Sequence, residues 1–366
     1  MKIIKIEIGK VKIPLKKPFI TALRHVDFAE DIIIKIITDT GNVGYGNAPP
    51  TAVITGDSQD SIISAIQNVI APQLIGLDIW ETEEIFQRID KSMLHNSSAK
   101  ACLDIAVYDL LGQMCNLPLY KLLGGYRHSF KSDLTISLRE PGIMAQDARE
   151  AVNNGYTDLK LKVGGNAKLD FERVKAIREA VGDKISIRLD ANQGWKPKEA
   201  VRLIRQFEDK GLNIELIEQP VIAHDMSGLK FVTDNVDTLI MADEAAFGTY
   251  EVFQLLSNRA CDLINIKLMK AGGIHNALKI ADMASTCGVE CMMGCMLESK
   301  LGITASASLA GAKSIITRAD LDAADLLAED PIKGGISYNK NTILSNEQAG
   351  LGISEIQNWQ FITEIK

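Results

Sequence analysis

The spacing of apolar and polar residues changes character about a third of the way along this 366-residue chain. Early on, "IIKIEIGKVKIPL" and "DIIIKIITDTGNVGYGNA" alternate with a period of two, which predicts two or three half-buried strands with "DTGN" as a hairpin turn. After Gly56 the period lengthens. "DSQDSIISAIQNVIAPQLIG" reads as a helix opened by an Asp/Ser cap, and "NSSAKACLDIAVYDLLGQMCN" as a second helix capped by Asn96 or Ser97. "LPLYKLLGG" ends this α+β unit near Gly125.

From residue 131 short apolar strands alternate with amphipathic helices. The strands are "SDLTISL", "DLKLKV", "ISIRLDAN", "IELIEQP", "TLIMADE", "DLINIKL" and "VECMMGC", with an eighth expected around Ser314 to Asp320. Between them run helices such as "KLDFERVKAIREAV", "PKEAVRLIRQFEDKG" and "GTYEVFQLLSNRA". A charged residue stands near the end of five successive strands: Lys162, Asp190, Glu218, Asp243 and Lys267. Their spacing of roughly 24–28 residues is that of one strand–helix unit of a parallel barrel. The expected class is therefore α/β, a TIM-type (β/α) barrel behind an α+β capping domain. The capping domain is assigned to residues 1–125 and the barrel to 126–330. Residues 331–366 form a segment that packs back on the cap.

Composition adds mainly exclusions. The net charge of −7 and pI near 5.4 argue against nucleic acid or an anionic membrane as partner. No apolar run reaches the ~18 residues of a membrane helix. The lysine–isoleucine alternation at the start is a strand pattern rather than a signal peptide, so a cytoplasmic location is expected. Cys287, Cys291 and Cys295 are spaced four apart in "TCGVECMMGCM", but no histidine lies near. They read as buried free thiols at a helix end and the following strand.

The chemistry starts from "TDLKLKVGG". Lys160 and Lys162 are two apart on a strand, so both ammonium groups share one face. Two buried cations side by side need anions. Barrel sites gather at the C-terminal strand ends, where Asp190, Glu218 and Asp243 follow on successive strands. Three converging carboxylates repel unless a cation sits among them. A hard divalent ion with oxygen ligands, by default Mg²⁺, fits that need. Lys267 flanks the cluster on its far side. Taken singly, a strand-end aspartate is more often a helix cap and a Lys-x-Lys pair a solvated edge; their joint placement at a regular repeat favours a site. The five histidines form no cluster in sequence.

"LKLKV", "RLDANQGW", "IEQP", "MADE" and "INIKLMKAGGI", in this order, resemble the muconate-lactonizing-enzyme subgroup of the enolase superfamily. The resemblance spans nearly the whole chain. It implies Asp190, Glu218 and Asp243 as ligands of one Mg²⁺ (Mn²⁺ is an alternative) and Lys162 and Lys267 as acid/base catalysts on opposite faces of a substrate. It implies Lys160 as a charge stabiliser near the substrate carboxylate, and Asn192 and Glu244 as supports beside the metal ligands. Thr135 and Ser137 would line the pocket, and Glu298 would orient a catalytic lysine or the substrate carboxylate.

Two stretches narrow the reaction. "RADLDAADLL" places Asp320 and Asp322 at the end of the eighth strand, resembling the Asp-x-Asp feature with which dipeptide epimerases hold an α-ammonium group. "KKPFITALRHVDFAE" carries Arg24 on a lid loop, where it would pair with the side-chain carboxylate of a C-terminal glutamate. The resemblance thus implies a metal-dependent isomerase that moves a proton at the α carbon of the C-terminal residue of a dipeptide, L-Ala-D/L-Glu above all, in murein peptide recycling. Rival readings are epimerases of other dipeptides, an N-acylamino-acid racemase, an o-succinylbenzoate synthase, or a barrel that binds without catalysis. The expected partner is a small dipeptide, and a homo-oligomer is expected. One departure stands out: where the subgroup's pattern reads Gly-Glu-Ala-Pro-Pro, this chain has Asn47 in place of the glutamate.

Overall fold

A computed structural model describes residues 1–21 and 24–366. Strands β1 (Ile3–Ile20), β2 (His25–Thr38) and β3 (Val43–Ala48) form an antiparallel meander. The expected Asp39–Asn42 turn joins β2 to β3, with Gly41 at φ +83°, where a side chain would be strained. The helix after Gly56 has the expected cap: Ser58 accepts from Ser61 N in Gln59–Ala65. It then loosens into a π turn over Ile66–Ile70. A helix not foreseen, Thr82–Lys91, follows, burying Ile85, Phe86 and Ile89. The long helix Ser97–Met114 packs across β3 and is buried along most of its length. Its expected cap does not form. Asn96 adopts φ 52°, and its side-chain amide turns back to Leu94 O instead of the helix.

After the short β4 (Ser129–Lys131), eight parallel strands follow in sequence order: β5 (Leu134–Ile136), β6 (Asp158–Lys162), β7 (Ser186–Asp190), β8 (Ile214–Glu218), β9 (Leu239–Ala242), β10 (Leu263–Ile266), β11 (Glu290–Gly294) and β12 (Ile316–Asp320). The sheet nearly closes on itself, and Asp133 N donates to Ala319 O at 3.1 Å across the seam between β5 and β12. Helices follow each strand through β11, and none of the described residues forms a helix behind β12, which is the (β/α)7β variant of the barrel. Leu216, Met241, Leu263 and Met292 fill the lower interior. Beyond the barrel come β13 (Ile332–Gly334), β14 (Ser337–Asn339), β15 (Thr342–Leu344), β16 (Ile353–Ile356) and β17 (Gln360–Ile365). β17 returns to pair with β1, Ile365 opposite Ile6, so the last strand extends the cap sheet.

All six cysteines are free. Cys291 is buried as expected and Cys295 partly so, but Cys287 is exposed, because it closes the helix Ile274–Cys287 on its outer side. Among the described residues no helix is long and apolar enough to cross a membrane.

Candidate active site

Parallel register sets the site. Lys162 lies opposite Asp190, and Asp190 opposite Glu218, at the C-terminal ends of β6, β7 and β8. Asp243 follows β9 and Lys267 follows β10. All five side chains are buried.

Each ammonium group of this ring pairs with a carboxylate. Lys162 Nζ donates to Asp190 Oδ2 at 2.6 Å, and Lys267 Nζ to Asp243 Oδ2 at 2.7 Å. Lys160, only 1% exposed, stands 2.7 Å from Asp320, 2.6 Å from Glu218 and 3.1 Å from Asp190. A further lysine that sequence reasoning missed, Lys270, reaches Asp243 Oδ1 at 2.6 Å. Asn265, also missed, donates to Glu218 Oε1 at 2.8 Å. Gln219, at φ 38°, accepts from Asp243 N (2.9 Å) and Ala245 N (3.0 Å), fixing the turn that aims Asp243. Asn265 lies two residues before Lys267 and Lys270 three after it, so strand alternation and one helical turn were the available signals.

The titration of these groups follows from the pairing. Burial opposes ionisation of Asp190, but Lys162 and Lys160 hold its pKa at about 2. Asp243 is likewise held well below the ordinary range by Lys267 and Lys270 against burial. Glu218 goes the other way, to about 8, because burial and the neighbouring Asp190 outweigh Lys160. A base must be neutral, which burial and a nearby cation favour. The structure instead raises Lys267: burial works against its charge, and Asp243 and Glu218 override burial.

Whether these residues suit a divalent ion can be judged from the donor set. As the side chains stand, no three carboxylate, imidazole or thiolate groups among the described residues converge closely enough to enclose an ion, because ammonium groups lie between them. The chemistry nevertheless fits. Asp190, Glu218 and Asp243 offer hard oxygens on adjacent strand ends. Glu218 Oε2, fully buried and close to Lys160, makes no hydrogen bond of acceptable geometry. A buried carboxylate oxygen that makes no well-formed hydrogen bond is a hard donor suited to a divalent ion.

The remaining candidates line one pocket above the ring. Arg24 and Thr21 from the cap, Thr135 from β5, Asn192 beyond β7, and Asp320 and Asp322 at β12 all face it. Ser137 lies outside this lining; its hydroxyl accepts from Ile20 N at 3.3 Å. Among the described residues no carboxylate stands within ion-pair distance of Arg24. Asn192 donates from Nδ2 to Glu244 at 3.3 Å and from its backbone to Asp190 Oδ1 at 2.9 Å. Asp320 and Asp322, expected as an equivalent pair, differ. Asp320 bonds Lys160, while Asp322 Oδ2 accepts from Thr135 N at 2.7 Å. Glu298 is not bonded to a lysine: its carboxylate accepts from Asn47 Nδ2 (3.0 Å) and from Met296 N (3.0 Å).

Residues 143–357 match the model described as enolase C-terminal domain-like, and residues 3–124 match the mandelate racemase/muconate lactonizing enzyme N-terminal domain. The chain belongs to the enolase superfamily. Within it, the chain is 51% identical over 353 residues to an L-Ala-D/L-Glu epimerase of Clostridium acetobutylicum, covering 96% of this chain and 99% of that one. The substrate-liganded L-Ala-D/L-Glu epimerase of Bacillus subtilis superposes with a TM-score of 0.97 at 52% identity, covering 97% of this chain and 99% of the other. A dipeptide epimerase of Enterococcus faecalis, complexed with Mg and L-Leu-L-Tyr, superposes with a TM-score of 0.94 at 47% identity, covering 97% and 100%. Enolase-superfamily membership accounts for the two-part layout, a cap sheet set over a barrel mouth.

Proposed function

We propose that this protein is a Mg²⁺-dependent dipeptide epimerase that inverts the α carbon of the C-terminal residue, with L-Ala-D/L-Glu as preferred substrate. One observation carries the reading. β6 and β10 are four strands apart in an eight-stranded barrel, so Lys162 and Lys267 face one another across the pocket. Asp190, Glu218 and Asp243 occupy the arc between them on one side, and Asp320 and Asp322 lie on the other. A dipeptide bound across this ring directs its carboxylate to the first arc, its ammonium to the second, and its α carbon between the lysines.

Asp190, Glu218 and Asp243 would hold the Mg²⁺, which would supply fixed positive charge for the substrate carboxylate. Lys162 or Lys267, buried beside the α carbon, takes the α proton as base in its neutral form. Lys160 adds positive charge where negative charge grows on the substrate. The opposite lysine returns a proton to the other face, and the carbon is inverted. The whole transfer is a 1,1-proton shift with no net change in composition. Asp322 takes the substrate ammonium, and Arg24 the glutamate side chain. The names of the close relatives support this substrate, and a role in recovering murein peptides follows from it. The same hard oxygen set admits Mn²⁺.

A second reading has an observation of its own. Val53, Ile54, Met296 and Leu297 give the pocket an apolar wall, which favours dipeptides ending in a hydrophobic residue. A panel of dipeptides incubated with enzyme and Mg²⁺ in D₂O separates the readings. L-Ala-L-Glu is expected to gain one deuterium at the glutamyl α carbon while L-Ala-D-Glu appears. Faster exchange of a dipeptide ending in leucine would move the preference to the second reading. No exchange in any dipeptide would remove epimerisation altogether.

A further inference from the structure

Asn47, at the end of β3, is wholly buried where the cap sheet meets the barrel, between two carboxylates that the proposed reaction does not use. Its Nδ2 donates to Asp31 Oδ2 of β2 at 3.3 Å and to Glu298 Oε2 of the barrel at 3.0 Å. Both amide hydrogens are thereby engaged. Ser299 N donates to the same Asp31 oxygen at 2.7 Å, and Met296 N to the other oxygen of Glu298 at 3.0 Å. One line of hydrogen bonds therefore runs from the cap sheet through Asn47 to the Met296 turn. Both ends of that line shape the pocket: Val53 and Ile54 follow shortly after Asn47, and Met296 and Leu297 immediately precede Glu298.

We propose that Asn47 is a positioning residue: its amide locks the Val53–Ile54 wall of the cap against the Met296–Leu297 wall of the barrel and so sets the width of the slot for the side chain of the epimerised residue. An amide suits this place. It gives two hydrogens to two buried acids and adds no third negative charge. Burial pushes Asp31 up to about 7, and burial together with Asp31 pushes Glu298 to about 8, so the junction already carries all the charge it tolerates. The other ionisable groups facing it are Cys102 of the long cap helix and Cys295 of the barrel, whose thiols burial pushes up, and Lys267 at longer range.

The substrate in this inference rests on the proposed dipeptide reading; the bridge itself does not. The test compares wild type with Asn47→Asp, Asn47→Leu and the double variant Asn47→Asp/Glu298→Gln at pH 6.0 and 8.5. At pH 6.0 the new carboxyl of Asn47→Asp is protonated and still donates, so KM for the dipeptide stays within about threefold of wild type. At pH 8.5 it brings a third charge and no hydrogen, so KM rises about tenfold while kcat changes less than threefold. Asn47→Leu raises KM at both values. In the double variant the amide introduced at position 298 donates to the carboxylate introduced at position 47, reversing the bond, and most of the lost KM returns. Hydrogen exchange of residues 51–57 and 295–299 should quicken in Asn47→Asp at pH 8.5 without substrate present. A wild-type KM for Asn47→Asp at pH 8.5, or a loss confined to kcat, overturns the proposal, as does unchanged exchange in both segments. Quickened exchange in a protein that epimerises no dipeptide would keep the bridge and discard the substrate assignment.

Discussion

Replacing Lys160 by methionine removes a cation that touches both Glu218 of the carboxylate arc and Asp320. Its ammonium, 1% exposed, stands within 3.1 Å of three carboxylates, so the variant strips Glu218 and Asp320 of their nearest cation. Removing one member of a buried ion pair destabilises by about 3–5 kcal/mol. The three contacts share one ammonium and one set of acids, so they do not add. An unfolding entropy of about 2.1 cal/mol/K per residue gives the 366-residue chain roughly 0.8 kcal/mol/K. The melting temperature of the metal-free variant should then fall by about 4–6 °C. Mg²⁺ bound at the proposed ligands Asp190, Glu218 and Asp243 would replace the missing charge and would no longer compete with a neighbouring ammonium. Metal at about 100 times its Kd contributes roughly 2.7 kcal/mol on its own. Scanning calorimetry in chelator and in saturating Mg²⁺ should therefore show a larger metal-induced rise in the variant than in wild type. Activity should remain at least 100-fold down even with metal, because positive charge beside the reacting carboxylate is gone. A melting-temperature loss under 1 °C, or an identical Mg²⁺ shift in both proteins, would refute the assignment of Lys160 to the metal arc.

Exhaustive chelation should abolish epimerisation and Mg²⁺ should restore it; Asp243→Asn should weaken Mg²⁺ binding at least tenfold by titration calorimetry, since it deletes an anionic ligand. Lys162→Ala and Lys267→Ala should each stop net epimerisation, yet each should still exchange the α hydrogen of one epimer with D₂O, and of opposite epimers. A single variant that exchanges both epimers readily would contradict the two-base arrangement. Arg24→Met should reduce kcat/KM for L-Ala-L-Glu more than for L-Ala-L-Gln, narrowing the gap between them; an equal loss would make Arg24 a lid residue without a substrate contact.

The barrel was legible because each strand–helix unit repeats the same problem: an apolar strand that must end at a mouth, with a charge where it ends. That periodicity located Lys162, Asp190, Glu218, Asp243 and Lys267 before any coordinates. It could not show which charges pair, because pairing depends on side chains from strands far apart in sequence. Lys270 and Asn265 went unnoticed for that reason, as did the pairing of Lys160 with Glu218 and Asp320. Local signals failed in two other ways. Asn96 looks like a helix cap, but the preceding turn holds it at φ 52°, where its side chain faces backward. The helix Thr82–Lys91 was passed over, although Glu83 and Glu84 in its first turn and Arg88 and Lys91 in its last complement the helix dipole.

The difference between Asp320 and Asp322 has a kinetic consequence. Asp320 already holds Lys160, whereas Asp322 is bonded by Thr135, through its backbone N–H and its side chain, and burial together with Asp320 pushes its pKa up to about 7. A substrate ammonium pairs with the ionised form of Asp322, so binding improves as pH rises through 7. The α-amino group of the dipeptide loses its own charge near 7.7–8.0, by analogy with free α-amines, so binding weakens again above that. The product of the two requirements is a narrow bell in kcat/KM, since that ratio reports the free enzyme and free substrate. Asp322→Asn keeps the bond from Thr135 N and removes the titration. It should flatten the acid limb near pH 7 and leave kcat/KM lowered by ten- to 100-fold, about what loss of one charge-assisted hydrogen bond costs. The N-acetylated dipeptide, which carries no ammonium, should lose the alkaline limb and at least ~100-fold in kcat/KM on wild-type enzyme. If the acid limb near 7 persisted unchanged in Asp322→Asn, the group that titrates there would lie elsewhere, and the ammonium would not be read by Asp322. If the N-acetyl compound turned over as fast as the free dipeptide, the enzyme would be an acylamino-acid racemase built on the same two lysines.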